Sequence, residues 1–504
     1  MIAKTYSAIP YGFEGQLVEV EGDMNRGLPS FNIVGMANKT IYEARERVKS
    51  ALINSGFTFP DKKVTINLAP ADFAKDGSFL DLSIALTILV LSNQLRQPDL
   101  HQKMFIGELS LDGKVRPVKG IINIVETAKQ SGIHEIYLPV QNLPQAALIN
   151  GITIYGVDTL NNLFMHLKKE SCLSTSHTLT EYHTVQTYSN GPFLDQIYGQ
   201  DFAKRALEIA IAGHHNILLS GPPGTGKTFL AKTAANLLPD PTSDEIVTLT
   251  KLYSIAGLST DKTISSRPFR SPHHTASPIS IIGGGINTLP GEISLASSGI
   301  LFLDELPEFP RSVLEALRQP LEDKQISISR ANQKITYPAD FMLIATMNPC
   351  PCGYYGDPTH ECKCTEHQIQ NYQKKLSGPL FDRIDMNISV EKVKNSVLKA
   401  IPSNQDYHEH NVVKNNITEA VKTQFLRYHK SGYYNSSLSS HEITKYLKLE
   451  PSAEQLLNTA SDKLNLSARS YFKTIKVAQT IADLAHSKLI QKDHIAEALT
   501  FRKR

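Results

Sequence analysis

Cysteine is scarce in this chain of 504 residues: there are five, and four of them crowd between 350 and 364. That distribution excludes the disulfide framework of small secreted domains and points to a reduced compartment with one metal site. Long apolar runs are missing too. The longest, Leu82 to Leu91, is interrupted by Ser83 and Thr87 and is too short to span a bilayer. The N-terminus, Met1-Ile2-Ala3-Lys4-Thr5-Tyr6-Ser7, lacks the apolar core of a signal peptide. A strong charge of either sign is also wanting, since the net charge is +3. Any nucleic-acid surface must therefore be local, a pore or groove rather than a whole basic face. These absences predict a cytoplasmic protein that makes no membrane contact.

What is present is an ordinary globular composition, 41% hydrophobic and 20% charged, in a chain long enough for about three domains. Residues 1–169 mix strand and helix signals. Leu17-Val18-Glu19-Val20-Glu21 and Lys63-Val64-Thr65-Ile66-Asn67-Leu68 alternate with the strand period. Phe105 to Val118 reads as a hairpin turning at Asp112-Gly113, and helices follow Asp81 and Gly120. This predicts an α+β domain. Residues 170–190 are polar, Ser/Thr-rich and aperiodic, which is linker composition, with Cys172 as a lone thiol. An α/β domain with a parallel sheet is predicted over 191–390, and a helical domain over 391–504.

The chain is organised around Gly221-Pro222-Pro223-Gly224-Thr225-Gly226-Lys227-Thr228, set between the apolar run Asn216 to Ser220 and a helix-forming segment from Phe229. Strand, glycine loop and helix make a phosphate-binding loop. Backbone N–H groups of Gly221, Gly224, Thr225 and Gly226 would cradle phosphate oxygens at a helix N-terminus. Lys227 would reach the β- and γ-phosphates of ATP, and the Thr228 hydroxyl would hold Mg²⁺. Downstream, Gly299-Ile300-Leu301-Phe302-Leu303-Asp304-Glu305 is a continuous apolar strand ending in two acids. Asp304 would assist Mg²⁺ and Glu305 would orient the attacking water. A second apolar strand, Phe341 to Thr346, delivers Asn348 to the same sheet edge to position that water or the γ-phosphate.

Arg383, in Gly378-Pro379-Leu380-Phe381-Asp382-Arg383-Ile384-Asp385, is a candidate arginine finger acting on a neighbouring subunit's ATP. Its competing role is a surface salt bridge with Asp382 or Asp385. A finger in trans requires a closed ring. Arg469 opens a helix whose Phe472, Ile475, Ala478, Ala482 and Ala485 share a face, which suits a sensor arginine reaching toward nucleotide. Cys350-Pro351-Cys352 and Cys362-Lys363-Cys364 form C-x-C, nine residues, C-x-C. Four soft ligands suit tetrahedral Zn²⁺, and a closed four-thiolate site would be structural.

Two resemblances follow. Phe105 to Val118 resembles a hairpin of the Lon protease domain, and Ala74-Lys75-Asp76-Gly77 resembles the turn before its nucleophilic serine. Asp81 stands where that serine belongs and Ile122 where the lysine belongs, so a Lon-like domain without peptidase activity is expected. The second resemblance covers essentially the whole chain. Gly221 to Thr228, Phe269-Arg270-Ser271-Pro272-His273-His274, Pro290 to Ala296, Leu303 to Phe309 and Met347 to Gly353 resemble the YifB/ComM family of magnesium-chelatase-like AAA+ proteins. The resemblance implies a hexameric ATPase that binds DNA, a helicase and branch-migration motor of natural transformation with recombination proteins as possible company.

It also implies that two insertions project into the ring's pore. One is Ser254 to Ser298, carrying Arg267, Arg270, His273 and His274. The other is the hairpin Gln325 to Pro338, carrying Arg330, Asn332 and Lys334. Basic residues there suit phosphates, which give sequence-independent affinity. The competing role for both insertions is packing between subunits. Two other functions stay open: a remodelling motor acting on a protein partner, and, against the missing dyad, an ATP-dependent protease.

Overall fold

In the computed structural model, which describes residues 2–35, 39–71, 75, 78–176, 192–285, 288–330, 333–357, 360–393 and 407–502, the chain divides into two units. One holds the described residues up to 176 together with Ile246–Ile264. The other holds those from 192 to Glu245 and from Ser265 onward.

The first unit is built on the alternating residues of Ile2–Tyr11 and Glu14–Asn25, which pair antiparallel from Ile2 with Asp23 to Tyr11 with Glu14. They centre an eight-stranded mixed sheet. Lys63–Ala69 and then Ser30–Val34 extend one edge; Lys103–Phe105, Glu135–Pro139, Thr153–Val157 and Thr175–Ser176 extend the other. The helix Asp81–Leu91 is buried along its whole length. It lies so close to the hairpin that a Cβ on Gly22 would meet Thr87 Cγ2 at 2.5 Å. Its hydroxyls are satisfied within the core, as Ser83 donates to the Phe105 carbonyl at 2.9 Å and Thr87 to the Ser83 carbonyl at 2.9 Å.

Asp81 opens that helix as a buried carboxylate. Arg47, from the helix Lys39–Asn54, donates to it at 2.6 and 3.1 Å, and the Leu109 N–H donates at 3.1 Å. Ile122, on the helix Ile121–Gln130, is fully buried and aliphatic. The two positions at which the Lon resemblance wants a serine and a lysine are thus an ion pair and a core methyl cluster. Ala74, Asp76 and Gly77 lie outside the described residues. The expected hairpin over 105–118 is shorter than its pattern suggests: Glu108–Leu109 pairs with Val115–Arg116 around Asp112-Gly113. Phe105 belongs instead to the large sheet, opposite Tyr137.

Residues Ile246–Ile264, within the stretch between the phosphate loop and Asp304, are part of this first unit. Ile246 joins the cluster around Ile121 and Ile124. Ser254 Oγ accepts from the Gly120 N–H at 2.9 Å, and the Asn142 and Gln145 amides donate to the Thr260 and Lys262 carbonyls at 2.8 and 3.0 Å. This corrects the reading of Ser254 to Ser298 as one projecting insertion. Its first part is fixed by buried amides, and only the part from Ser265 belongs to the second unit.

In the second unit, continuous apolar runs form the expected parallel sheet. Its order is Phe269–Arg270, Ile300–Leu303, Met342–Met347, Ile217–Ser220 and Met386–Ser389. Strands buried on both faces need no polar alternation. Gln325–Arg330 and Gln333–Pro338 form a separate antiparallel hairpin. The helices His408–Tyr428, Ser440–Tyr446, Pro451–Leu464, Ala468–Leu484 and Lys492–Thr500 complete the unit. A buried polar network secures them: Arg427 donates to Asp483 at 3.0 Å, Asn435 to Asp483 at 2.9 Å and Gln424 to the Ala212 carbonyl at 2.8 Å. No helix among the described residues is long and apolar enough to cross a membrane.

Candidate functional site

The phosphate loop joins Ile217–Ser220 to the helix Lys227–Leu237. Gly224 and Gly226 take left-handed backbone angles, φ +76° and +85°, with open space where a Cβ would stand. That leaves a loop whose N–H groups can turn toward an anion. Lys227 Nζ donates to the Gly221 and Pro222 carbonyls at 2.7 and 2.8 Å and to Asn348 Oδ1 at 3.4 Å. Burial pushes the Lys227 ammonium below its ordinary pKa, while Asp304 and Glu305 work against that shift. Thr225 is buried and donates to the Pro222 carbonyl at 3.0 Å.

The two acids end the strand Ile300–Leu303. Thr228 Oγ1 donates to Asp304 Oδ2 at 3.1 Å. Thr346 donates to the other Asp304 oxygen and accepts from the Glu305 N–H at 2.9 Å. Thr346 therefore links the two acids, a role the sequence reading missed. Its signal is present: it is the last residue before Met347-Asn348 and pairs with Leu219 beside the loop. Glu305 sits in the left-handed region at φ +55° with its side chain half exposed. A non-glycine residue held there carries some backbone strain. His274 Nδ1 stands 4.0 Å from Glu305 Oε2, so a residue expected on DNA lies beside the water-activating candidate. The residues fit Mg²⁺ and ATP: a hydroxyl and a carboxylate meet at the mouth of a glycine cradle that holds a buried ammonium.

The cysteine loop follows Asn348 directly. Cys350 Sγ lies 3.3 Å from Cys352 and 3.7 Å from Cys362, with Cys352 to Cys362 at 3.6 Å. All four sulfurs fall within 4.8 Å of one another. Tetrahedral Zn–S bonds of ~2.3 Å place sulfurs about 3.8 Å apart, so the four thiols fit a zinc ion. Gly353 packs against the phosphate loop, where a Cβ would meet Pro223 Cδ at 2.8 Å.

Arg383 and Arg469 both turn to Glu322, not to Asp382 or Asp385. Arg383 Nη2 donates to Glu322 Oε2 at 2.5 Å, and Arg469 donates to Oε1. Among the DNA candidates, Arg267 is a correction. It is buried against Glu245 at 2.8 and 2.9 Å and also donates to the Pro239 carbonyl at 2.6 Å, which removes it from phosphate contact. Arg270 is paired with Glu292 through two bonds of 2.6 Å. His273 is exposed, its ring 4.2 Å from that of His274. Lys334 is exposed on the hairpin, where the backbone of Arg330 pairs with Gln333. Asn332 lies outside the described residues.

Three family models match: "Subunit ChlI of Mg-chelatase" over residues 20–142, "Magnesium chelatase, subunit ChlI" over 193–398, and its C-terminal model over 408–502. The chain is 41% identical to competence protein ComM of Haemophilus influenzae, over 99% of this chain and 97% of the relative. It is 40% identical to the uncharacterized protein YifB of Escherichia coli, over 97% and 95%. A shorter stretch is 29% identical to Lon protease 2 of Bacillus subtilis, over 30% of each chain. Identity of this level along nearly the full length makes the chain a member of the YifB/ComM family of magnesium-chelatase-like AAA+ proteins.

Proposed function

We propose that this protein is an ATP-driven ring motor, a homo-hexamer that moves on DNA and promotes branch migration when incoming DNA recombines. Family membership implies ATP and Mg²⁺. The observation that carries the hydrolytic reading is the linkage Thr228, Asp304, Thr346, Glu305 beside Lys227 and Asn348. Bound Mg·ATP supplies the phosphoryl group that is transferred to water. Lys227 would exchange its carbonyl partners for β- and γ-phosphate oxygens, and Thr228 and Asp304 would hold the metal. Glu305 would take the proton of the attacking water, with Thr346 fixing its backbone and Asn348 marking the γ-phosphate. Arg383 and Arg469 would complete the site of an adjacent subunit. The four cysteines would hold a structural zinc that stiffens the segment after Asn348.

The DNA half rests on the exposed Lys334 of the hairpin and on the full-length similarity to a protein named for competence. In this reading His273 and Lys334 line the pore, with Arg270 held ready by Glu292. The test is ATP-dependent branch migration on labelled four-way DNA, with Lys227→Ala as control. Migration by the wild type alone supports the reading. ATPase activity indifferent to DNA, with no migration, replaces it with a motor that remodels a protein partner.

A further inference from the structure

Arg383 follows the turn Gly378–Phe381 and Arg469 lies on Ala468–Leu484, yet both guanidinium groups end on one carboxylate. Glu322, on the short helix Arg318–Asp323, accepts from Arg383 through one oxygen and from Arg469 through the other. Arg383 is fixed further by donating from Nε to the Arg318 carbonyl at 3.2 Å and from Nη1 to the Pro379 carbonyl at 2.5 Å. A guanidinium carries five N–H donors, so Arg383 keeps capacity for an anion while staying in place.

The surroundings are rich in cations. Glu322, Arg383 and Arg469 line a cavity of about 400 Å³ together with Lys324, Lys473 and Lys476. Burial lowers the pKa of both Lys473 and Lys476; Asp385 works against that shift on each, and the charge of Arg469 adds to it. The other two acids in the cavity have partners of their own: Asp385 accepts from the Asn216 N–H at 2.9 Å and lies 3.8 Å from Lys473, and Asp340 accepts from Lys324 at 3.0 Å. Partial burial works to raise the Glu322 carboxyl, but its bonds to Arg383 and Arg469 outweigh that and hold it below its ordinary pKa. Without its charge, the two guanidinium groups would lose the carboxylate that joins them in a cavity shared with three lysines.

We propose that Glu322 is a positioning residue that holds Arg383 and Arg469 side by side as one unit, so that both meet the transferred phosphate together. The inference rests on the reading that these arginines serve an adjacent subunit's ATP. A single arginine of this kind is worth a rate factor of roughly 10³ to 10⁵, and its value depends on placement.

Glu322→Gln keeps the shape and removes the charge. It is expected to lower kcat about tenfold or more with KM and nucleotide affinity unchanged, and to add nothing in an Arg383→Ala background in single-turnover assays. Glu322→Asp should recover part of the loss. In mixed rings, Glu322→Gln with Lys227→Ala should regain activity, because intact arginines then meet an intact phosphate loop. Glu322→Gln with Arg383→Ala should not, because both lesions fall on the arginine side. Wild-type turnover of Glu322→Gln, full additivity with Arg383→Ala, or regained activity in that second mixture overturns the proposal. If Arg383→Ala and Lys227→Ala fail to complement while Glu322→Gln stays non-additive with Arg383→Ala, action in trans falls and the clamp stands.

Discussion

Two acidic positions, one in each unit, stand at the junction of a turn with a regular element. Asp81 opens a helix in the first unit, and Asp304-Glu305 ends a strand in the second. Asp81 is closed: two bonds from Arg47 and one from the Leu109 N–H fill its oxygens inside the core. The strand-end acids are open. Among the described residues Asp304 accepts from two hydroxyls, which a metal ion can share, and Glu305 presents a half-exposed carboxylate. A charge whose hydrogen-bonding capacity is met internally is committed to the fold, even where burial makes its ionisation costly. One whose partners are exchangeable is free to act on a ligand.

The comparison breaks first, and by the largest effect, at the open end. Lys227→Ala should abolish ATP binding. Glu305→Gln should keep binding and slow hydrolysis by about 10²- to 10⁴-fold, the range lost with a positioned general base. Fluorescent-nucleotide binding and phosphate release separate the two. Hydrolysis at the wild-type rate by Glu305→Gln would end its assignment as the water-activating group.

The cysteines extend the open class, with four acceptors turned to one point. Cys362→Ser with Cys364→Ser should release about one zinc per chain and lower the thermal midpoint, since structural zinc adds directly to folding free energy. Elemental analysis that finds no zinc in wild-type protein purified without chelators rejects the site.

At the closed end, burial pushes the Asp81 carboxyl up from 3.8 to about 6 despite Arg47. Between those values the native state holds more proton than the unfolded chain, so stability falls as pH rises through the window and levels off above it. The expected loss is on the order of 2–3 kcal/mol. Asp81→Asn should lack this slope and so gain on the wild type from pH 4 to 7. Parallel thermal midpoints for the two proteins across that range would contradict it. Asp81→Ser should restore no casein cleavage, because Ile122 leaves the serine without a base.

Local pattern made the parallel strands and the hairpin over 325–338 legible, because each depends on its own periodicity and turn residues. It made the phosphate loop and the strand-end acids legible because their chemistry demands particular residues in order. What it could not show is pairing across long separations. Phe105 read as part of a local hairpin, but its partner is Tyr137. Arg383 finds Glu322 instead of an adjacent aspartate. Thr346 and His274 become relevant only once separate strands bring them to Asp304 and Glu305. The return of Ile246–Ile264 to the first unit depends on amides of Asn142 and Gln145, more than a hundred positions earlier.

The smallest effect tests whether the same distinction sorts the cations. Arg267 is closed by Glu245 and carbonyl oxygens, whereas Lys334 is exposed on a hairpin whose apolar residues, Ile326 and Ile335, face inward. If Lys334 contacts phosphate, Lys334→Ala should weaken DNA binding about equally across sequences. It should also make the slope of log K against log salt shallower by about one unit. Arg267→Ala should leave that slope alone and instead strand Glu245 in the interior, so its effect belongs to stability. If the hairpin packs between subunits, Lys334→Ala breaks the ring and the salt slope loses its meaning. Mass photometry with ATP beside a salt titration separates these outcomes: an intact ring with a shallower slope places Lys334 on DNA, and an intact ring with an unchanged slope removes it.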